Sequence, residues 1–263
     1  MPATGHVDAA DGCRLFFSDE GPRDAPAILF SNSLGTTCRL WDRQVRRFAG
    51  RFRVLRYDTR GHGQSGAPPG DYTLDRLGRD ALTILDAAGV DRAHVCGISL
   101  GGMTAMWLAL HAPDRVGRIV LANTGAHIGT FDLWQERIRV VRTNGMGAIA
   151  EATPGRWFTG DFRQRCPEVV AMFAAMVAAC TPEGYAGCCA AIRDADLRGE
   201  IARIVAPALV ITGAADPATP PSDGELIAAR IPGARRVELD AAHLSNVEQA
   251  EAFTRAVFEF LAA

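Results

Sequence analysis

The stretch His94–His111, HVCGISLGGMTAMWLALH, limits the possible folds more than any other part of the chain. It opens as a short apolar run of β-forming character and continues as helix formers up to Pro113. Between the two lies Gly97-Ile98-Ser99-Leu100-Gly101, so a strand gives way to a helix with no loop to absorb the change of direction. A turn that tight leaves no space for side chains beside its central residue, hence glycine on both flanks. It also presents the serine above the sheet edge, on a strained backbone and at the positive end of the helix. Gly102 extends the small-residue surface on which the helix approaches a neighbouring strand. Strand, sharp turn, serine and helix together read as a nucleophile elbow, which requires a sheet whose strands are followed by helices.

The remaining chain supplies that sheet. Ala27–Asn32, Arg53–Asp58, Ile119–Asn123, Ala208–Gly213 and the shorter Arg235–Leu239 read as strands, alongside the run that ends at Ser99. Two further runs, around His6–Asp8 and Cys13–Ser18, flank Asp11-Gly12 and read as a hairpin. Amphipathic helical patterns cover Thr73–Ala88, Leu100–His111, Ser222–Ile231 and Asn246–Leu261. The expected fold class is therefore α/β, with a mostly parallel sheet flanked by helices. The alternation breaks over residues 127–206, where helix-like runs (Leu133–Thr143, Glu168–Cys180, Tyr185–Asp194) occur without a clear strand. The expected division is a core of residues 1–126 and 207–263, with 127–206 a helical cap over the C-terminal edge of the sheet, where open α/β sheets bind ligands.

Composition removes several function classes. The 28 basic residues nearly balance 30 acidic ones, giving a net charge of −2 and no support for nucleic-acid binding. Every basic residue is arginine, which excludes a Walker A loop and Schiff-base chemistry on a lysine. No basic stretch leads into a long apolar run at the N-terminus, and no segment has the length of a membrane span. A cytoplasmic location without membrane partners is expected. The 7 cysteines lack C-x-x-C spacing, and the adjacent Cys188 and Cys189 suit neither a disulfide nor a zinc site, so free buried thiols are expected.

A serine nucleophile needs a base, most often histidine near neutral pH. Of His6, His62, His94, His111, His127 and His243, only His243 lies in a loop at the C-terminal edge of the sheet, after the last strand and before the last helix. The carboxylate that orients it is expected at Asp216, just past the strand ALVITG. Asp240 is the rival but stands too close to His243 in sequence, and the position after the preceding strand holds Asn123. Two oxyanion donors are expected, the backbone N–H groups of Leu100 and of Leu34 in the loop Asn32-Ser33-Leu34-Gly35. The run Asp58-Thr59-Arg60-Gly61-His62-Gly63-Gln64-Ser65 matches a recurrent hydrolase loop and reads as turn structure.

The order Ser99, Asp216, His243 is that of the α/β-hydrolases. With the elbow, the pieces SNSLGTT, LRYDTRGHGQS, CGISLGGM, LANTGAHIG, GYAGCCAAIRDADLR, DPATPP and AAHLSNVE resemble the 3-oxoadipate enol-lactonases of the β-ketoadipate pathway. The resemblance spans essentially the whole chain, cap included. Most relatives carry His-Gly where this chain has Asn32-Ser33; a backbone donor survives that change, and the Ser33 hydroxyl is left as a polar contact for substrate.

The resemblance implies a small lactone substrate, an acyl-enzyme on Ser99, and no metal or organic cofactor. The free carboxylate of that substrate calls for a cation, with Arg137, Arg156 and Arg193 of the cap as candidates, and Trp134 for an aromatic wall. Two other readings stand beside it. One is a general carboxylesterase or carbon–carbon bond hydrolase on the same triad, and the other is a non-catalytic receptor of the same fold.

Overall fold

The computed structural model describes residues 3–263. Eight strands form one sheet: β1 (Ala3–Asp8), β2 (Arg14–Glu20), β3 (Ala27–Ser31), β4 (Arg53–Tyr57), β5 (Ala93–Ile98), β6 (Val116–Ala122), β7 (Ala208–Gly213) and β8 (Arg235–Leu239). They lie in the order β1-β2-β4-β3-β5-β6-β7-β8. The first two are antiparallel, as a hairpin must be, and every pairing from β4 to β8 is parallel. Every residue of β3, β4 and β7 is buried, which is why these strands read as continuous apolar runs rather than alternating ones.

Helices α1 (Asp42–Phe48), α2 (Leu74–Ala87) and α3 (Leu100–His111) cover the sheet from the first half of the chain. The short α1 has no counterpart among the sequence-predicted helices. Between β6 and β7 the chain forms only helices: α4 (Phe131–Asn144), α5 (Gly147–Ala152), α6 (Pro154–Trp157), α7 (Gly160–Arg165), α8 (Pro167–Ala178) and α9 (Pro182–Asp194). Side-chain caps set several of their starts, with Thr130, Thr159 and Thr181 each accepting a backbone N–H of the first turn. Finally come α10 (Pro221–Arg230), α11 (Ser245–Glu248) and α12 (Ala250–Ala262). The expected single helix from Asn246 is thus two, because Gln249 leaves the helical region at φ −117 and ψ 50.

Buried side chains of the insert and of the sheet form one continuous apolar cluster. The two parts also meet backbone to backbone. A Cβ on Gly61, whose φ is +80, would stand 2.4 Å from the Cα of Gly184 in α9, and a Cβ on Gly184 would stand 2.2 Å from the Cα of Gly61. No side chain fits in that seam. All 7 cysteines are free, and all but the half-buried Cys166 are buried. Among the described residues no single helix is long and apolar enough to cross a membrane.

Candidate active site

The parallel strands end together, and the loops beyond their C-terminal ends converge. Ser99 follows β5 directly with φ 58 and ψ −119, the strained turn its sequence calls for. The packing explains each flanking glycine. A Cβ on Gly97 would lie 2.0 Å from the carbonyl oxygen of Gly101, and one on Gly101 would lie 2.1 Å from that of Ser31. Gly102 brings α3 against Thr124, in the loop after β6, rather than against a strand itself. Two hydrogen bonds hold the elbow to that side: Ser99 N–H donates to the Ala122 carbonyl at 3.0 Å, and Thr124 Oγ1 donates to the Ser99 carbonyl at 2.7 Å.

Asp216 and His243 follow β7 and β8 and are both buried. His243 Nδ1 lies 2.9 Å from Asp216 Oδ2. The carboxylate is held from every side. Its Oδ1 accepts the amides of Ala218 (2.8 Å) and Thr219 (3.1 Å), and its Oδ2 accepts Thr219 Oγ1 (2.8 Å) and Asn123 Nδ2 (3.0 Å). Burial by itself would favour the neutral acid. The charge and hydrogen bond of His243, with the donors from Asn123 and Thr219, outweigh it and bring the pKa of Asp216 down to about 2. A permanently ionised carboxylate is what holds an imidazole in the tautomer that leaves Nε2 able to accept a proton. Asp240 is exposed and makes no such contact.

Four of the other five histidines are occupied elsewhere, and the fifth, His62, accepts the Gly35 N–H. His94 Nδ1 accepts Arg118 N–H, His111 meets the Trp107 carbonyl, His127 meets the Ala195 carbonyl, and His6 packs on Phe16 at the hairpin edge.

Ser99 and His243 line a narrow pocket between the sheet edge and the insert. From the sheet side it receives Ser33, Leu34, Ala218 and Thr219, and from the insert Ile128, Trp134, Arg137, Thr153, Arg156, Trp157 and Tyr185. The Leu34 and Leu100 amides donate to no backbone carbonyl and no side chain among the described residues. Trp134 is fixed by its Nε1–H, which donates to the Ile128 carbonyl at 2.6 Å, and carries the Arg137 guanidinium over its ring at 5.4 Å. The Arg156 guanidinium makes no ion pair or hydrogen bond among the described residues. Its burial, and then the neighbouring charge of Arg137, lower its pKa from the usual arginine value. The pocket therefore holds uncompensated positive charge.

Arg193, the third candidate cation, does not join them. α9 directs it away from the pocket, where it bonds both oxygens of Asp194 at 2.7 Å, Gln135 Oε1 at 2.7 Å and Asp71 Oδ2 at 3.2 Å. Its charge is met there by two carboxylates, Asp71 and Asp194, so it is not a free cation facing the pocket. A second surface concavity, between α1 and α12, is lined by charges of both signs such as Arg43, Arg46, Glu251 and Glu259 and lies outside this constellation.

Three contributors were not among the expected site residues. Asn123, at φ 41, bridges Asp216 to the Ala242 carbonyl (3.2 Å) and accepts Ser245 Oγ (2.5 Å). Thr219 sits in the DPATPP piece and closes the loop around the carboxylate. Glu248 accepts Ala242 N–H at 3.0 Å beside His243 and also accepts Thr159 Oγ1 of the insert, tying the histidine loop to the helices above it. Their only sequence signal is proximity to the strand ends.

Comparison with known proteins places the chain among hydrolases of this fold. The alpha/beta hydrolase fold family matches residues 26–146. The chain is 43% identical to 3-oxoadipate enol-lactonase 2 of Acinetobacter baylyi over 94% of its own length and 93% of that protein's. It superposes on the crystal structure of the enol-lactonase from Burkholderia xenovorans with a TM-score of 0.97 and 46% identity, covering 98% of this chain and 100% of that one. A hydrolase from Pseudomonas aeruginosa gives 0.96 and 50%, with 99% and 98% covered.

Proposed function

Because the chain belongs to the 3-oxoadipate enol-lactonase family of α/β-hydrolases, we propose that it opens the ring of 3-oxoadipate enol-lactone with Ser99 as nucleophile, His243 as base and Asp216 as the orienting acid. It is a hydrolase of carboxylic ester bonds, and its substrate is a small molecule. The observation that carries the site assignment is the contact of His243 Nδ1 with the ionised Asp216, in one pocket with a strained Ser99.

Ser99 Oγ attacks the lactone carbonyl while His243 Nε2 takes its proton. The oxyanion forms between the Leu34 and Leu100 N–H groups, the second aided by the positive end of α3. Collapse breaks the ring C–O bond. The departing oxygen is an enolate, a better leaving group than an alkoxide, and after protonation by His243 it tautomerises to the ketone. His243 then activates a water that cleaves the acyl-enzyme, releasing 3-oxoadipate and restoring Ser99. Arg156 and Arg137 meet the free carboxylate, Trp134 walls the ring, and the Ser33 hydroxyl faces the same space. The helices of residues 127–206 act as a cap that excludes water from this chemistry. The seven unpaired thiols favour a cytoplasmic location.

The test follows lactone hydrolysis by ultraviolet absorbance in wild type and Ser99→Ala, beside a panel of aryl esters. Fast lactone loss that Ser99→Ala abolishes and that far exceeds ester turnover is expected. Ester cleavage with lactone loss no faster than in buffer would instead make the protein a general esterase.

A further inference from the structure

The stretch LRYDTRGHGQS contains a buried histidine that the chemistry above leaves unused. The His62 ring is 2% exposed and makes two hydrogen bonds of opposite sense. Its Nε2 accepts the Gly35 N–H at 2.9 Å, so that nitrogen carries no proton. Its Nδ1 lies 3.1 Å from the Arg60 carbonyl and therefore donates. Together the two contacts specify a single neutral tautomer. Burial supports it by disfavouring the imidazolium, against the opposing pull of the Arg60 carbonyl and the Asp58 carboxylate. The neutral Tyr185 of α9 packs on the ring at 6.3 Å, centroid to centroid.

Gly35 adjoins Leu34, the donor assigned to the oxyanion. Ser33 to Thr36 form a tight turn, closed where Thr36 N–H (3.2 Å) and Thr36 Oγ1 (2.8 Å) donate to the Ser33 carbonyl. Its third residue, Gly35, has φ +82, the conformation a glycine supplies at that place. A turn closed only at its ends can still rotate its middle peptide. Here that rotation is blocked, because the middle N–H is bonded to His62.

The far side is fixed through the same stretch. Asp58 Oδ1 accepts Cys38 N–H at 2.7 Å, just beyond the turn, and its Oδ2 accepts Gln64 N–H at 2.9 Å. We propose that His62 is a positioning residue for the oxyanion turn: by accepting the Gly35 N–H it locks the peptide beside Leu34 and so aims the Leu34 N–H at the developing charge. The inference rests on the oxyanion reading given above.

Two near-isosteres separate the two hydrogen bonds. In His62→Gln the Oε1 stands where Nε2 was and can accept from Gly35, while the donor to Arg60 is lost. In His62→Asn the amide can donate to Arg60, while Gly35 is left without an acceptor. The full-length variants are compared by steady-state lactone kinetics, thermal melting, and binding of phenylboronic acid, which forms a tetrahedral adduct with a nucleophilic serine, against adipate, which does not.

The glutamine variant is expected to keep kcat within about threefold. The asparagine variant should lose about 10- to 100-fold in kcat, with KM changed less than about twofold. Its boronate affinity should fall in parallel while its adipate affinity holds. Activity that tracks melting temperature across both variants, or an asparagine variant with wild-type kcat, overturns the role of His62. Amide NMR of the wild type separates that failure from a failure of the oxyanion reading. If boronate leaves the Leu34 and Leu100 amide shifts unmoved, the oxyanion assignment is wrong and the inference falls with it. If the shifts move and the asparagine variant still retains kcat, the assignment stands and His62 is only structural.

Discussion

Asn123 Nδ2 donates to Asp216 Oδ2 at 3.0 Å, the same oxygen that faces His243 Nδ1 at 2.9 Å. The two residues come from adjacent strand ends, β6 and β7, separated in sequence by the whole helical insert. Asn123 also accepts from Ser245 and donates to the Ala242 carbonyl, so one amide anchors both sides of the carboxylate–imidazole pair. Asn123→Ala should therefore lower kcat by about tenfold through misalignment, while KM changes less than about twofold. Steady-state lactone kinetics check this. A matching loss in KM would mean that Asn123 supports substrate binding instead.

The positive φ of Ser99 is a stability cost carried by the site. Ser99→Gly removes the side chain that makes φ 58 unfavourable. It is expected to abolish turnover yet raise unfolding stability by about 1 kcal/mol relative to Ser99→Ala, which keeps a Cβ and hence the strain. Urea unfolding of the two inactive variants gives the comparison directly. Equal midpoints would show that the elbow is relaxed with a side chain in place.

Arg156 is the pocket cation whose guanidinium has no bonded partner among the described residues, and it faces the like charge of Arg137. A carboxylate entering the pocket would relieve that repulsion as well as make its own bonds. Arg156→Met should raise KM for the lactone by about 10- to 100-fold, the worth of a charge-assisted hydrogen bond, with kcat changed far less. Hydrolysis of a neutral aryl acetate should be little affected. An equal effect on both substrates would place the carboxylate elsewhere in the pocket.

Acid should destabilise the fold partly through His94. Burial, then the charges of Arg118 and Arg92, lower its pKa to about 4. Its folded pKa thus lies below its unfolded value of about 6.5, so the stabilisation is present above that value. It is lost as the pH falls toward 4, while the unfolded chain takes up a proton that the folded one refuses. His94→Asn keeps an acceptor for Arg118 N–H and cannot titrate. Its stability should depend less steeply on pH over that window, by about one proton, in denaturant unfolding at a series of pH values. An unchanged slope would show that His94 titrates normally in the folded state.

The parts of this site legible in the sequence are those whose steric or chemical demands are local. Gly97 and Gly101 betray the elbow because the clash each avoids lies within the strand–turn–helix unit or against the next strand. Asp216 and His243 are legible because each directly follows a strand. Asn123 is not, since an asparagine after a strand gains meaning only when β7 is known to lie alongside β6. The arginines of the insert show a different limit. Composition nominates Arg137, Arg156 and Arg193 equally, and helical phase decides among them. α9 starts at Pro182, and from that start Tyr185 faces inward while Arg193 meets Asp71 and Asp194 outside. Helix α1 escapes notice because it is short and has arginine at three of its four exposed positions, with only Gln44, Val45 and Phe48 buried.

The glycine-to-glycine seam at Gly61 and Gly184 bears on how this protein can acquire new substrates. Neither position can accept a larger residue unless the first turn of α9 moves away, and no change in one compensates for a change in the other. α9 is therefore a fixed post, and the insert cannot be reseated on the sheet by single substitutions. Evolution of the pocket is channelled to the side of Arg137 and Arg156, whose side chains can be exchanged without disturbing a backbone contact.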